Sequence, residues 1–248
     1  MELELINVDK NLLFKHPFTL MIAGATSSGK TQLARNIVTH LPELITPEIS
    51  LPIQVNWSYG IWTQAYGKPF NSPYVRVSYV KGLPKDVKAD VLVVDDLMTS
   101  VSGSEEFANI FMRGSHHQNM SVIFIVQNLF HQGRRMRDIG LNCHYLILTK
   151  NRRDLGQITT LGRQLYGNDW KFFIDAYKKS VLNRDYGYLL IDLTPTTEER
   201  YRLRANICPP EYPITLFVPS QNDKTIERKA HRSKNDSLTT RKKETSSI

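Results

Sequence analysis

The sequence predicts an α/β domain on a central, mostly parallel sheet flanked by helices. Three observations carry that prediction. The glycine-rich stretch Gly24-Ala25-Thr26-Ser27-Ser28-Gly29-Lys30-Thr31 joins an apolar run at 18–23 to a helix-like segment at 32–38. The runs Val91-Leu92-Val93-Val94 and Val122-Ile123-Phe124-Ile125-Val126 are apolar without alternation, as in strands covered on both faces. Leu155, Ile158, Leu161 and Leu165, then Trp170, Phe173, Ile174 and Tyr177, fall at helical spacing.

In chain order, residues 1–17 form a lead-in, closed by His16-Pro17, since proline turns the preceding residue away from helix. A domain follows at 18–210. Its first strand runs over 18–23 and its first helix ends near His40, before Leu41-Pro42 and Thr46-Pro47. Strands are predicted at 53–57 and 74–79, with a short aromatic helix or turn at 62–66 between them. Its rings could stack on a base, but core or rim packing is the usual role of such residues. The strand at 91–94 ends in Asp95-Asp96. Ser104, followed by Glu105 and Glu106, caps a helix whose apolar face is Phe107, Ile110 and Phe111. The strand at 121–126 ends in Gln127-Asn128, and another covers 144–149. Segments 186–192 and 202–207 read as an antiparallel pair. Beyond 210 lies a basic tail, disordered over 219–248 by composition.

Residues 24–31 fit G-x-x-x-x-G-K-[ST], the phosphate-binding P-loop. Glycines there let backbone N–H groups converge on phosphate oxygens, and the helix N-terminus adds partial positive charge. Lys30 would reach the β- and γ-phosphates of ATP, and Thr31 would place a hydroxyl on Mg²⁺. Asp95 stands where such proteins hold Mg²⁺, and Asp96 could polarise the attacking water. Gln127 could sense the γ-phosphate if its strand neighbours the P-loop strand. The N-K-x-D base-reading motif of GTPases is absent. The adjacent His116 and His117 have no cysteine or carboxylate at ligand spacing, which argues against a metal centre there.

Composition excludes some classes and favours one. No apolar run approaches the ~18 residues of a membrane span, so no membrane partner is expected. The first residues resemble no secretory leader, and Cys143 and Cys208 lack C-x-x-C spacing; both point to a reducing, intracellular setting. The net charge is +8 and uneven. Residues 131–184 hold 11 Lys and Arg against 4 Asp and Glu, and residues 224–248 hold 8 against 3. Such blocks suit a polyanionic partner, and Arg241-Lys242-Lys243 could also serve nuclear import.

Several runs resemble one group of proteins. They are 111–130 (FMRGSHHQNMSVIFIVQNLF), 141–145 with 150–154, Leu161-Gly162-Arg163-Gln164, and 186–193. With the P-loop, they are similar to the FtsK/HerA-like, poxvirus-type genome-packaging ATPases of adintoviruses and Polinton-like elements. The resemblance spans about residues 16–210 and omits the tail. It implies a P-loop NTPase fold of the ASCE type, whose two motif strands are separated by an inserted sensor strand. It implies a homo-oligomeric ring, pentamer or hexamer, that hydrolyses ATP with Mg²⁺ and drives double-stranded DNA, irrespective of sequence, into a preformed capsid. The capsid or portal vertex would be its partner, and the nucleus of an infected host cell or the virion its location. Carried over by position, the loop 24–31 binds the nucleotide, Thr31 and Asp95 hold the metal, and Gln127 is the sensor. Asp96 departs from the more usual glutamate by one methylene. An arginine from a neighbouring subunit would complete the site. Arg113 is the first candidate, with Arg137, Arg152 and Arg153 as alternatives. A helicase or replication initiator on the same core, or a nucleotide-switched assembly protein, are the competing readings.

Overall fold

A computed structural model describes residues 1–7, 12–84, 87–97, 104, 107, 110, 111, 119–129, 143–152, 155–209, 211 and 213–219. The P-loop strand β3 (Thr19–Ala23) lies near the middle of a ten-stranded sheet. Its neighbours are β8 (Ser121–Val126) and β9 (Tyr145–Thr149), both parallel to it. Beyond β8 come β7 (Val91–Asp95), β5 (Ile53–Tyr59) and β6 (Val75–Lys81), again parallel. β8 therefore separates β3 from β7, the arrangement expected for an inserted sensor strand. Beyond β9 the sheet turns antiparallel through β10 (Tyr188–Asp192), β11 (Leu203–Ala205), β12 (Ile214–Val218) and β1 (Glu2–Ile6). A separate two-stranded pair joins β2 (Phe14–Lys15) to β4 (Ile45–Thr46).

Alternate residues of the central strands feed two cores, as a period of two requires. Leu20, Ile22, Val91, Val93, Ile123 and Ile125 pack with Ala34, Ile37 and Val38 of α1 (Lys30–Thr39) on one face. Met21, Leu92, Val94, Val122 and Phe124 pack on the other face against Phe107, Phe111 and two later helices. Those helices are α3 (Leu155–Tyr166) and α4 (Trp170–Tyr177); the short α2 (Leu41–Leu44) follows α1. The helix start expected at Ser104 agrees with its Oγ, which accepts the Phe107 N–H at 3.1 Å. The stripe on α3 is narrower than expected: Ile158 and Leu161 are buried, whereas Leu155 and Leu165 at its two ends are exposed.

The sheet also runs past both boundaries read from the sequence. Residues 2–6, assigned to a lead-in, pair with 214–218, assigned to the tail. β12 is short and follows Pro209, Pro210 and Pro213, so composition hid it. Only the pairing with β11 on one side and β1 on the other completes it. The disorder expected from 219 onward falls, except for Ser220's predecessor Pro219, outside the described residues.

Buried charge fastens this antiparallel extension. Arg204 on β11 has no exposed surface and pairs with Asp192 at the end of β10. Its guanidinium also donates to the carbonyls of Leu12 (2.6 Å) and Tyr201 (2.7 Å). Removing one member of such a pair strands the other without water. Arg204→Ala should therefore cost about 3–5 kcal/mol, and the double change Arg204→Met with Asp192→Leu should cost clearly less. Denaturant melts of both variants test this; a single change that costs as little as the double one contradicts it.

Candidate functional site

Strand register places the site. Ala23 pairs with Val126 on β8 and with Leu148 on β9, and Asp95 pairs with Ile125. The chain thus leaves the sheet at Gly24, Asp96, Gln127 and Thr149 along a single edge. From Gly24 the loop runs into α1, whose N-cap Gly29 has φ 88°, a left-handed conformation that costs an L side chain steric strain. Gly24 is required for a different reason. A Cβ there would strike the hydroxyl of Thr149. That hydroxyl donates to the Ala23 carbonyl at 3.2 Å and bonds the Ser28 hydroxyl at 2.6 Å. Thr149 therefore ties the start of the loop to its end. No local sequence signal marks it, because its partners lie more than a hundred residues away.

The charged groups are buried and mutually dependent. The Lys30 ammonium donates to the carbonyls of Gly24 (2.8 Å) and Ala25 (2.7 Å) inside the loop. Burial lowers its pKa, while Asp95 and then Asp96 act to keep it charged. Asp95 is 4% exposed. Its Oδ2 accepts two hydroxyls, from Thr31 and from Tyr66, each at 2.9 Å. Burial raises the Asp95 pKa, Thr31, Tyr66 and Lys30 oppose the rise, and Asp96 adds to it. Asp96 itself is exposed, at φ 55°, and Gln127 is exposed at the end of β8. The contact between the Thr31 hydroxyl and the Asp95 carboxylate fits Mg²⁺, which takes a few hard oxygens from protein and the rest from phosphate and water.

The expected residues at 24–31, Asp95, Asp96 and Gln127 thus converge. Arg113, Arg137 and Arg153 lie outside the described residues. Arg152 and Lys150 follow β9 and line a cleft of about 330 Å³ with Ala25, Thr26, Ser27 and Ser28 of the same chain. Arg152, considered above as a donor to a neighbouring subunit, therefore flanks its own loop.

Tyr66 is the residue sequence reasoning missed. The segment holding it is a turn, and Tyr66 is buried beside Trp57, Tyr59 and Tyr79 with ring centroids 5.5–5.9 Å away. Core packing, not base stacking, is its role, but its hydroxyl reaches the acid 29 residues later. Arg35 of α1 steadies the same segment. Its guanidinium lies 4.1 Å from the Phe70 ring centre and donates to the Tyr79 hydroxyl at 2.9 Å.

Two expected outcomes follow from these contacts. Tyr66→Phe keeps the ring and removes a donor that holds the Asp95 pKa down. The acidic limb of the pH–turnover profile should move to higher pH, and half-saturation by Mg²⁺ should need several-fold more metal. An unchanged profile and metal requirement would show the bond to be idle. Asp95→Asn removes a charge that folding desolvates. Because the folded pKa is raised, that cost is absent below the ordinary carboxylate range and complete above the raised value. The variant should gain on the order of 1 kcal/mol at neutral pH, lose the gain below about pH 4, and lose turnover throughout. Thermal melts across pH, with a turnover assay, check both.

The sequence matches no family profile and no curated protein. Solved structures do match in shape. The crystal structure of B204, the DNA-packaging ATPase from Sulfolobus turreted icosahedral virus, aligns with a TM-score of 0.50 at 12% identity, covering 84% of this chain and 100% of that one. The genome-packaging NTPase B204 of Sulfolobus turreted icosahedral virus 2, in complex with sulfate, aligns at 0.47 and 12% identity, covering 82% and 97%. The KaiC-like protein PH0186 of Pyrococcus horikoshii aligns at 0.41 and 12% identity, covering 82% and 91%. At such identities the likeness concerns fold: this chain has the P-loop NTPase fold, a mostly parallel sheet flanked by helices.

Proposed function

We propose that this protein is an ATP-hydrolysing motor that moves double-stranded DNA into a preformed capsid. One observation carries the hydrolytic part: the P-loop, Asp95 and Gln127 meet at one sheet edge, with the sensor strand between the two motif strands. Lys30, held inside the loop, supplies fixed positive charge to the β- and γ-phosphates. Thr31 and Asp95 would hold Mg²⁺, which would supply charge neutralisation for the phosphates. Asp96, exposed beyond the buried Asp95, accepts the proton of the attacking water, and Gln127 orients that water. Arg152 adds charge from the loop's own subunit. Arg113, donated by a neighbour in a ring of five or six copies, stabilises the charge that develops on transfer.

The translocation part rests on the sequence resemblance and on the placement of charge. Lys171, Lys178 and Lys179 are exposed on α4 and the turn after it, within the basic block at 131–184. Contacts of this kind read phosphate backbone and not base sequence. In this reading the protein works at a capsid or portal vertex inside an infected cell, in the lineage of the poxvirus-type packaging ATPases. A helicase built on the same core would separate strands, and a packaging motor would not.

Phosphate release measured with and without duplex DNA tests the proposal. Duplex should stimulate turnover, a forked substrate should stay paired, and Lys30→Ala should lose at least about a hundredfold. Normal turnover in the Lys30 variant removes the site assignment, and unwinding of the fork removes packaging in favour of a helicase. Mixed rings of Arg113→Ala and Lys30→Ala subunits should regain activity at intermediate ratios. If both variants assemble but no mixture works, Arg113 is not the donated group.

A further inference from the structure

A second cavity, of about 550 Å³, opens on the other side of the P-loop helix start. Gly29, Gln32 and Asn36 of the loop and α1 form one wall, and Tyr186, Tyr188 and Glu211 form the other. Gly29 and Gln32 bracket Lys30 and Thr31, so the cavity begins where the phosphate site ends. We infer that it is the base subsite of the nucleotide, with Tyr186 as stacking platform and Glu211 as the group that selects adenine over guanine. The inference rests on reading the loop as a nucleotide site and adds the residues that choose the base.

Three features support it. First, the volume lies in the range of small-molecule pockets, about 300–1,000 Å³. Second, Tyr186 is 73% exposed yet held over Gly29: a Cβ on that glycine would come within 2.9 Å of the ring. Tyr186 also has φ 55°, uncommon for a bulky residue. An exposed ring in a costly backbone conformation, beside a phosphate-binding loop, offers a flat apolar face that the fold itself does not use. Third, Glu211 is fixed. Its Oε2 accepts the Tyr188 hydroxyl at 2.8 Å, and that hydroxyl accepts the Ile207 N–H at 2.8 Å. A carboxylate accepts a hydrogen bond from the 6-amino group of adenine. Guanine carries a carbonyl at that position, so in the proposed pose, with position 6 of the base facing Glu211, two acceptors would meet with no hydrogen between them.

Equilibrium binding of ATP, GTP and inorganic triphosphate to the full chain tests this. Wild type should prefer ATP to GTP. Tyr186→Ala should weaken ATP by about tenfold, as loss of one base–aromatic stack does, and leave triphosphate unchanged. Tyr186→Phe should bind like wild type, and Glu211→Gln should narrow the preference for ATP by about tenfold. Tyr186→Gly should melt at a higher temperature yet bind ATP more weakly, a pairing that a purely structural tyrosine would not give. Unchanged ATP binding in Tyr186→Ala, or equal affinity of wild type for ATP and GTP, overturns this inference alone. If wild type binds neither ATP nor triphosphate, the nucleotide-site reading falls, and this one with it.

Discussion

The site depends on the level at which parallel strands stop. β3, β8, β7 and β9 run in register, so Gly24, Gln127, Asp96 and Thr149 leave the sheet side by side. A shift of one residue in any pair would turn every side chain of that strand to the opposite face. The alternating cores on the two faces forbid that shift, because Met21, Leu92 and Phe124 belong to one and Leu20, Val93 and Ile123 to the other. Packing thus positions chemistry that it does not itself contain.

At that edge the protein keeps two opposite charges out of water. Lys30 and Asp95 are each destabilised by burial and each supported by the other. Backbone carbonyls complete the ammonium, and two hydroxyls complete the carboxylate. Desolvated charges of this kind interact more strongly than they would in water, which is what transfer of a highly charged phosphoryl group requires. The same desolvation works against the folded state. Elsewhere the Arg204–Asp192 pair is buried as deeply but joins β10 and β11 to Leu12, where it fixes chain connectivity and no reaction.

Much of this was legible without coordinates. The P-loop needs a fixed run of eight residues, and the central strands are mostly apolar runs, with polar residues such as Thr19, Ser121 and Thr149 at their ends, because burial on both faces favours apolar side chains. Asp95, Asp96 and Gln127 were readable as the first polar residues after such runs. The ends of the domain were not readable. β1 is a largely exposed strand held by its pairing with β12, and β12, though buried, is a five-residue run after prolines that is completed by pairing with β1 and β11.

By itself the sequence determined which central strands exist, where the phosphate loop lies and which acids end the strand two places away, since each is a local pattern of apolar burial or backbone conformation. Tertiary structure alone decided who serves those groups. Tyr66 meets Asp95, Thr149 closes the loop at Gly24 and Ser28, Arg152 lines the cleft beside the loop of its own chain, and Tyr186 lies over Gly29. These contacts join residues from 29 to more than a hundred positions apart. Their geometry follows from strand order and register, which no short-range spacing encodes.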